Sequence, residues 1–223
     1  MIAFEKEELL GLFEPILHPD FVILNQDLEL GTQFLRLQVA ESWIKMVEAA
    51  APDGVELKAV STTRNFERQK SIWENKWFGR SPVNKIEPSE FAQLGYLDKA
   101  REIMKYSAMP GTSRHHWGTD IDINSVEPDY FETPYGRNVF RWLQVNANKY
   151  GFAMPYNSRQ EGRLLGYEEE KWHWSYLPLS RLMMQQYISV VHYSDIAGFE
   201  GCHAAEPLQV IPNFVMAIAQ NCR

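Results

Sequence analysis

The segment "SRHHWGTDIDIN", residues 113–124, constrains this chain more than any other, because it places two of the six histidines beside two aspartates and a glycine. Its second half alternates polar and apolar residues, which predicts a β-strand. Side chains in a strand point alternately to its two faces, so Asp120, Asp122 and Asn124 should share one face while the isoleucines share the other. Three polar side chains on one face indicate a polar site on a sheet.

The composition limits the class of protein in which such a site can lie. With 223 residues, 45% of them apolar and 23% charged, the chain is typical of globular proteins, and we expect residues 1–223 to form a single domain. A net charge of −7 with scattered basic residues argues against a nucleic-acid partner. No stretch approaches the roughly 18 apolar residues of a membrane span. We expect the protein to be a monomer.

Hydrophobic periodicity and turn residues predict the remaining elements. Helices are predicted at 35–51, 64–78, 88–106, 135–152 and 207–219 and after Pro178, and strands at 55–62, 119–124 and 171–177. The segment 157–166 is rich in turn-forming residues and is predicted to be a loop. Because short strands alternate irregularly with helices, the pattern favours an α+β fold, with a small antiparallel sheet flanked by helices, over a regular βαβ fold.

Two histidine-containing segments together offer a set of metal ligands. His115 and Asp122 are seven residues apart, and a bend at Gly118 would allow both to face one point. The segment "EEEKWHWSY" adds His173, and two histidines with one carboxylate are typical of a catalytic zinc that keeps a fourth position open for water. Glu170, three positions before His173, would remain free as a general base, so these residues predict the minimum set for a metallopeptidase.

The same residues also have a simpler interpretation. Histidines are more often hydrogen-bonded surface or core residues than metal ligands, and a strand rich in aspartate is often a solvated edge. Residue types and spacing alone leave both interpretations open.

Three segments resemble one known family, the VanY-type D-alanyl-D-alanine carboxypeptidases. "SRHHWGTDID" resembles the family's Ser-x-His-x-x-Gly-x-x-x-Asp motif, and "EKWHW" resembles its Glu-x-Trp-His motif, in the same order and at a similar separation. Upstream, "STTRNFERQ" is similar to the family's Ser-x-x-Arg-(x)4-Gln segment. The resemblance spans about residues 55–180, and we expect helical additions on both sides of this core.

The resemblance implies one zinc ion per chain, on the sheet, and a role for seven residues. They are the metal ligands His115, Asp122 and His173, the catalytic base Glu170, and Arg64, Gln69 and Ser113 around the substrate. In this scheme the guanidinium of Arg64 holds the carbonyl oxygen or the terminal carboxylate of the substrate and stabilises charge in the transition state.

One position departs from the family pattern, because many members have alanine where this chain has Asp120. Asp120 can orient a ligand histidine, or it can compete with Asp122 for the metal, and both alternatives stay open. The neighbouring His116 is predicted to be structural, because it points away from His115 on an extended chain.

The family implies zinc-dependent hydrolysis of the terminal D-alanine bond in peptidoglycan stem peptides, as a DD- or an LD-carboxypeptidase. The alternatives are a dipeptidase, an endopeptidase of the same fold, and a catalytically silent module that binds zinc or the cell wall. A silent module can lose its catalytic carboxylate, so the presence of Glu170 favours an enzyme.

The two cysteines of the chain, Cys202 and Cys222, lie close together near the C-terminus. They form either a disulfide or two unrelated buried thiols, and the sequence does not separate these alternatives. A disulfide would indicate a periplasmic or cell-envelope location and a leader peptide that has been removed, whereas free thiols would favour the cytoplasm.

Overall fold

Two antiparallel sheets with helices packed around them make up residues 3–223, which the computed structural model describes. The strands in this part of the chain are β1 (Phe21–Asp27), β2 (Gly31–Arg36), β3 (Ala59–Ser61), β4 (Asp120–Ile123), β5 (Phe152–Ala153) and β6 (His173–Tyr176). The α-helices are α1 (Lys6–Leu9), α2 (Leu37–Ala50), α3 (Phe66–Trp77), α4 (Pro88–Gln93), α5 (Tyr96–Ile103), α6 (Pro134–Asn146) and α7 (Leu177–Val190). The predicted α+β fold with a small antiparallel sheet is confirmed.

The larger sheet has the strand order β3-β4-β6-β5, and each neighbouring pair is antiparallel. In the central pair, Asp122 lies opposite His173 and Asp120 lies opposite Ser175. Because side chains alternate along a strand, these four polar residues share one face of the sheet. The apolar residues between them share the other face and belong to the core, namely Ile121, Ile123, Trp174 and Tyr176.

The apolar face of this sheet packs against α2 and α6. Trp43 and Met46 on α2 and Leu143 on α6 are buried in the same cluster as Ile121. Burial of apolar area of this kind stabilises a fold by about 25 cal/mol per Å². The core therefore fixes the sheet from one side and leaves its polar face toward the rest of the chain.

Two further apolar clusters lie around the polar face. One contains residues of α1 and α7 and of the C-terminal segment, and the other contains residues of α3, α4, α5 and the segment 196–210. Ile211 and Phe214 pack against both of these clusters. None of the helices within residues 3–223 is both long enough and apolar enough to span a lipid bilayer.

Several predicted elements differ from the observed ones. The predicted helix 88–106 is divided into α4 and α5, because Leu94 and Gly95 are extended. The predicted helix 207–219 is wrong: a single five-residue π-helical turn, Ile211–Val215, occupies part of it. Pro212 lacks the N–H that the interior of the predicted helix needs, and Gln209 has a φ of 48°, which an α-helix does not allow.

Two expectations about chain segments are also corrected. The N-terminal addition, expected to be helical, contains the β1–β2 hairpin as well as α1 and α2. Asn124 does not share the face of Asp122, because it follows β4 with a φ of 64°. Its side chain instead accepts a hydrogen bond from Lys58 N and donates one to Glu56 O.

The two cysteines are free thiols, so the disulfide expected as one alternative is absent from the structure. Cys222 is buried in the cluster formed by α1 and α7, whereas Cys202 packs against the cluster formed by α3 to α5. The two thiols therefore belong to different parts of the core. The location of the protein stays a prediction.

Candidate metal centre

The register of the central strands places Asp122 beside His173. Asp122 lies on β4 and His173 begins β6, and the distance between Asp122 Oδ1 and His173 Nδ1 is 3.3 Å. Both side chains are buried. Two of the residues predicted to bind metal are thus brought together by strand pairing.

The third residue, His115, reaches the same point from a short 3₁₀ turn, Arg114–Trp117. Ser113 caps this turn, because its hydroxyl accepts a hydrogen bond from His115 N at 3.3 Å. Gly118 then adopts a left-handed conformation, with a φ of 70°, and turns the chain into β4. The bend predicted at Gly118 is present, and it leaves His115 Nε2 3.3 Å from Asp122 Oδ2.

Hydrogen bonds on the outer side of each imidazole assign its tautomer. His115 Nδ1 lies 2.7 Å from the carbonyl oxygen of Thr62, to which it donates. His173 Nε2 lies 2.9 Å from Asp120 Oδ1 and donates to this carboxylate. In each ring the inner nitrogen, Nε2 of His115 and Nδ1 of His173, therefore faces Asp122 and is the one left to bind a metal once it carries no proton.

The donor set fits a metal ion. The ligand atoms of His115, Asp122 and His173 all lie within 4.8 Å of one another. His115 Nε2 and Asp122 Oδ1 are buried, and neither has a hydrogen-bond partner among the described residues. Buried polar atoms without hydrogen bonds are costly, and a cation bound between these atoms would remove that cost. Two imidazoles and one carboxylate are ligands typical of zinc.

The electrostatics keep Asp122 in the form that a metal ligand needs. Burial opposes ionisation of Asp122, but His115 and His173 outweigh this effect and hold the pKa of its carboxyl well below its ordinary value. Metal ligands of this type must be deprotonated, so the charged carboxylate is ready to bind a cation.

Glu170 lies beside the three ligands in the turn that precedes β6. His173 N donates to Glu170 O at 3.1 Å, and Glu170 N donates to Tyr156 O at 2.9 Å, so both ends of this turn are fixed. Glu170 Oε2 is 3.2 Å from His173 Nδ1. Burial raises the pKa of the Glu170 carboxyl, although the hydrogen bond with His173 opposes this rise. A carboxylate whose pKa is raised in this way is suited to accept and return a proton.

Arg64 lies between β3 and α3, and its backbone is tied to the histidine turn. Arg64 N donates to His115 O at 3.1 Å. Its side chain lines the pocket that also contains His115 and Glu170, and its buried Nε has no hydrogen-bond partner among residues 3–223. Burial lowers the pKa of the guanidinium, and the carboxylates of Asp122 and Glu170 oppose this effect. The guanidinium therefore offers a free donor to a bound ligand.

His116 is a structural residue, as expected. Its Nδ1 donates to Arg64 O at 2.6 Å, and its Nε2 accepts from Gly111 N at 3.0 Å. Burial lowers the pKa of His116 to about 3, so the ring is neutral and can both donate and accept. His115 and His116 thus both form a hydrogen bond with a backbone carbonyl of the segment 62–64.

The other two residues expected around the substrate, Ser113 and Gln69, differ in position. Ser113 lines the pocket and caps the turn of His115. Gln69 is buried on α3, and its Nε2 donates to Ala108 O at 2.7 Å. Ala108 lines the pocket, so Gln69 supports the pocket wall from behind.

Asp120 lies behind His173 and outside the group of three ligands. Its carboxylate accepts hydrogen bonds from Arg114, His173 and Ser175. Burial opposes its ionisation, but Arg114 and His173 keep the pKa of this carboxyl below its ordinary value. Of the two aspartates on β4, the geometry therefore favours Asp122 as the metal ligand.

Three tyrosines also line the pocket, and the sequence did not single them out. They are Tyr106, Tyr156 and Tyr167. The ring of Tyr156 packs edge-on against His173, with 4.7 Å between the centroids, and the buried hydroxyl of Tyr167 lacks a partner among the described residues. Only Tyr167 carried a usable signal, because it lies three positions before Glu170.

A second group with metal-ligand side chains, Glu8, His18 and Asp20, does not need a metal ion. The guanidinium of Arg36 contacts both Glu8 and Asp20. It supplies the positive charge that these carboxylates require, so the group is an ion-pair network.

Comparison with known proteins identifies the family that this chain resembles. A family model described as D-alanyl-D-alanine carboxypeptidase, VanY, matches residues 32–179. The putative carboxypeptidase YodJ of Bacillus subtilis is 31% identical over 171 residues, which are 75% of this chain and 55% of YodJ. The chain spans about half the length of the curated relatives it matches.

Solved structures share the fold. The LD-carboxypeptidase LdcB superposes with a TM-score of 0.55 and 26% identity, covering 82% of this chain and 81% of LdcB. A variant of the vancomycin-resistance D,D-pentapeptidase VanY in complex with Zn(II) gives a TM-score of 0.52 at 24% identity, covering 74% of this chain and 83% of that one. Because the family model covers more than half of its residues, this chain belongs to the VanY family of D-alanyl-D-alanine carboxypeptidases.

Proposed function

We propose that this protein is a zinc-dependent carboxypeptidase that removes the C-terminal D-alanine from peptidoglycan stem peptides, as a DD- or an LD-carboxypeptidase. The observation that carries the proposal is the buried group of His115, Asp122 and His173 with the carboxylate of Glu170 beside it. Membership of the VanY family and the zinc complex of a VanY protein support it.

In the proposed reaction, the metal ligands would bind zinc and the catalytic carboxylate would transfer a proton. His115, Asp122 and His173 would hold the zinc, which supplies a Lewis acid and lowers the pKa of a water molecule to about 7. Glu170 takes the proton from the attacking water at its carboxylate and delivers it to the departing nitrogen of the scissile bond. One residue thus serves first as base and then as acid.

Two donors in the pocket would bind the oxygen atoms of the substrate. Arg64 Nε and the hydroxyl of Tyr167 are buried, line the pocket and lack partners within the described chain. Unpaired hydrogen-bond donors in a buried site can bind a substrate oxygen atom that carries negative charge. This oxygen belongs either to the scissile carbonyl in the transition state or to the terminal carboxylate. A charged substrate end would therefore be held by groups that are already in place.

The proposal is tested on defined stem peptides that end in D-alanyl-D-alanine or in a single D-alanine, with the products identified by mass. We expect the loss of one alanine residue from at least one of them, and the length of the accepted peptide assigns DD- or LD-specificity. His173→Ala should lose zinc and activity together. Zinc binding without cleavage of either peptide would contradict the proposal and favour a silent module.

A further inference from the structure

Arg114 and Asp120 occupy positions that the family motif leaves open, and the proposed reaction uses neither. Arg114 follows the motif serine, and Asp120 stands two residues before the ligand Asp122. Both side chains are buried, and Arg114 Nε donates to Asp120 Oδ1 at 3.0 Å. A buried ion pair next to a metal ligand is costly to desolvate, so its role needs an explanation.

The carboxylate of Asp120 is saturated with hydrogen bonds. Oδ1 accepts from Arg114 Nε and from His173 Nε2, the latter at 2.9 Å. Oδ2 accepts from Ser175 Oγ at 3.1 Å and from the hydroxyl of Thr119. Arg114 Nη2 also donates to Ser175 Oγ at 2.6 Å, which closes a ring of contacts. With four donors around it, Asp120 has no lone pair left for a metal or for a water proton.

We propose that Asp120, held in place by Arg114, is a positioning residue that fixes the ring of His173 so that Nδ1 faces the metal. The inference rests on the zinc site of the proposed function. A carboxylate on the outer nitrogen of a ligand histidine fixes its tautomer and orientation and raises its basicity. Asp120 therefore acts through His173, and it is neither a ligand nor the catalytic base.

Arg114 makes this arrangement possible. An aspartate buried without a counter-charge would be protonated or would destabilise the fold, and Arg114 neutralises it. Arg114 is in turn held over the ring of Trp117, at 4.7 Å from its centroid. Because each charge requires the other, replacing only one of them leaves an uncompensated buried charge. The pair must be removed together to separate positioning from stability.

The test is the affinity for zinc, measured by competition with a chromophoric chelator, which needs no substrate. Asp120→Asn and the double variant Arg114→Met with Asp120→Ala should both bind zinc about 10- to 100-fold more weakly than the unaltered protein. The double variant leaves no unpaired charge, so it controls for misfolding of the single one. Their Co²⁺-substituted forms should also show altered visible absorption, because His173 is no longer fixed.

Ser175→Ala is the matched control, because Ser175 contacts Asp120 without contacting His173 Nε2. It should bind zinc about as tightly as the unaltered protein. Unchanged affinity in both Asp120 variants would overturn the proposal. Loss of zinc as complete as in His173→Ala would also overturn it and make Asp120 a ligand. A protein that binds zinc with this pattern but cleaves no stem peptide would contradict the proposed function alone.

Discussion

The hydroxyl of Tyr167 is a buried donor without a partner in the described chain, in the same pocket as Arg64 and Glu170. Tyr167→Phe removes only this hydroxyl. A neutral hydrogen bond contributes about 0.5–1.5 kcal/mol, so kcat/KM on the accepted stem peptide should fall by about 2- to 13-fold. Thermal stability and zinc affinity should not change, because the hydroxyl makes no hydrogen bond within the described residues.

Tyr187→Phe is the control for this prediction. The Tyr187 hydroxyl donates to Gly111 O at 2.8 Å, so its removal should lower the free energy of unfolding by about 1 kcal/mol and leave kcat/KM unchanged. If Tyr167→Phe behaves like Tyr187→Phe, the Tyr167 hydroxyl has a structural role and does not bind substrate.

The residues that the structure brings together at the candidate site could be predicted from the sequence where short spacing carries the geometry. His115 and Asp122 meet because one glycine bends the chain between them, and Glu170 reaches His173 within a single turn. The hydrogen bonds from Arg114 to Asp120 and from His173 to Asp120 depend on the packing of a turn against two strands. No local pattern encodes these contacts.

At the scale of elements, the turn at Gly118 joins the histidine-bearing 3₁₀ turn to β4. A Cβ atom there would lie 2.4 Å from the ring of Phe21, and the φ of 70° is already unfavourable for other residues. Gly118→Ala should therefore cost more than the about 1–2 kcal/mol of a left-handed backbone alone. Urea unfolding measures the loss, and zinc affinity should fall because His115 shifts.

Gly162→Ala separates the cost of the left-handed backbone from the cost of the clash with Phe21. Gly162 also has a positive φ, of 92°, but a Cβ atom there would meet nothing within 4 Å. It should show only the backbone cost and no change in zinc affinity. Equal losses of stability in the two variants would mean that Phe21 yields and that the turn tolerates a side chain.

Helices and strands with a clear hydrophobic periodicity could be predicted from the sequence, whereas elements without one could not. The alternation in β4 and the aromatic strand β6 follow from side chains that must face either the core or the site. The β1–β2 hairpin was missed, because its strands are partly exposed and only some of their residues, such as Leu24 and Leu35, pack on the core. The predicted C-terminal helix is wrong because Gln209 has a positive φ and Pro212 has no backbone N–H to donate.

At the scale of the whole molecule, the two cysteines belong to different apolar clusters. Titration of the unfolded, unreduced protein should therefore count two free thiols. The prediction follows from the burial of Cys222 beside α1 and α7 while Cys202 packs near α3 to α5. A count of zero would contradict this arrangement of the C-terminal segment and would favour an oxidising compartment.

The fold class, and the absence of a membrane-spanning helix within residues 3–223, follow from composition and periodicity, which average over many residues. The arrangement of the clusters was not predictable, because it depends on contacts between residues far apart in the chain. Trp73 on α3, for example, donates from its indole to the carbonyl oxygen of Glu200, 127 positions later.

The central claim is that Glu170 transfers the proton in a zinc-dependent hydrolysis, and Glu170→Gln tests it most directly. The substitution removes the base but keeps the size of the side chain, and Glu170 lies outside the group of three ligands. Zinc content and fold should survive, while turnover of a stem peptide ending in D-alanine should fall by about 10²- to 10⁴-fold. Near-normal turnover, or a variant that has lost its zinc, would contradict the account.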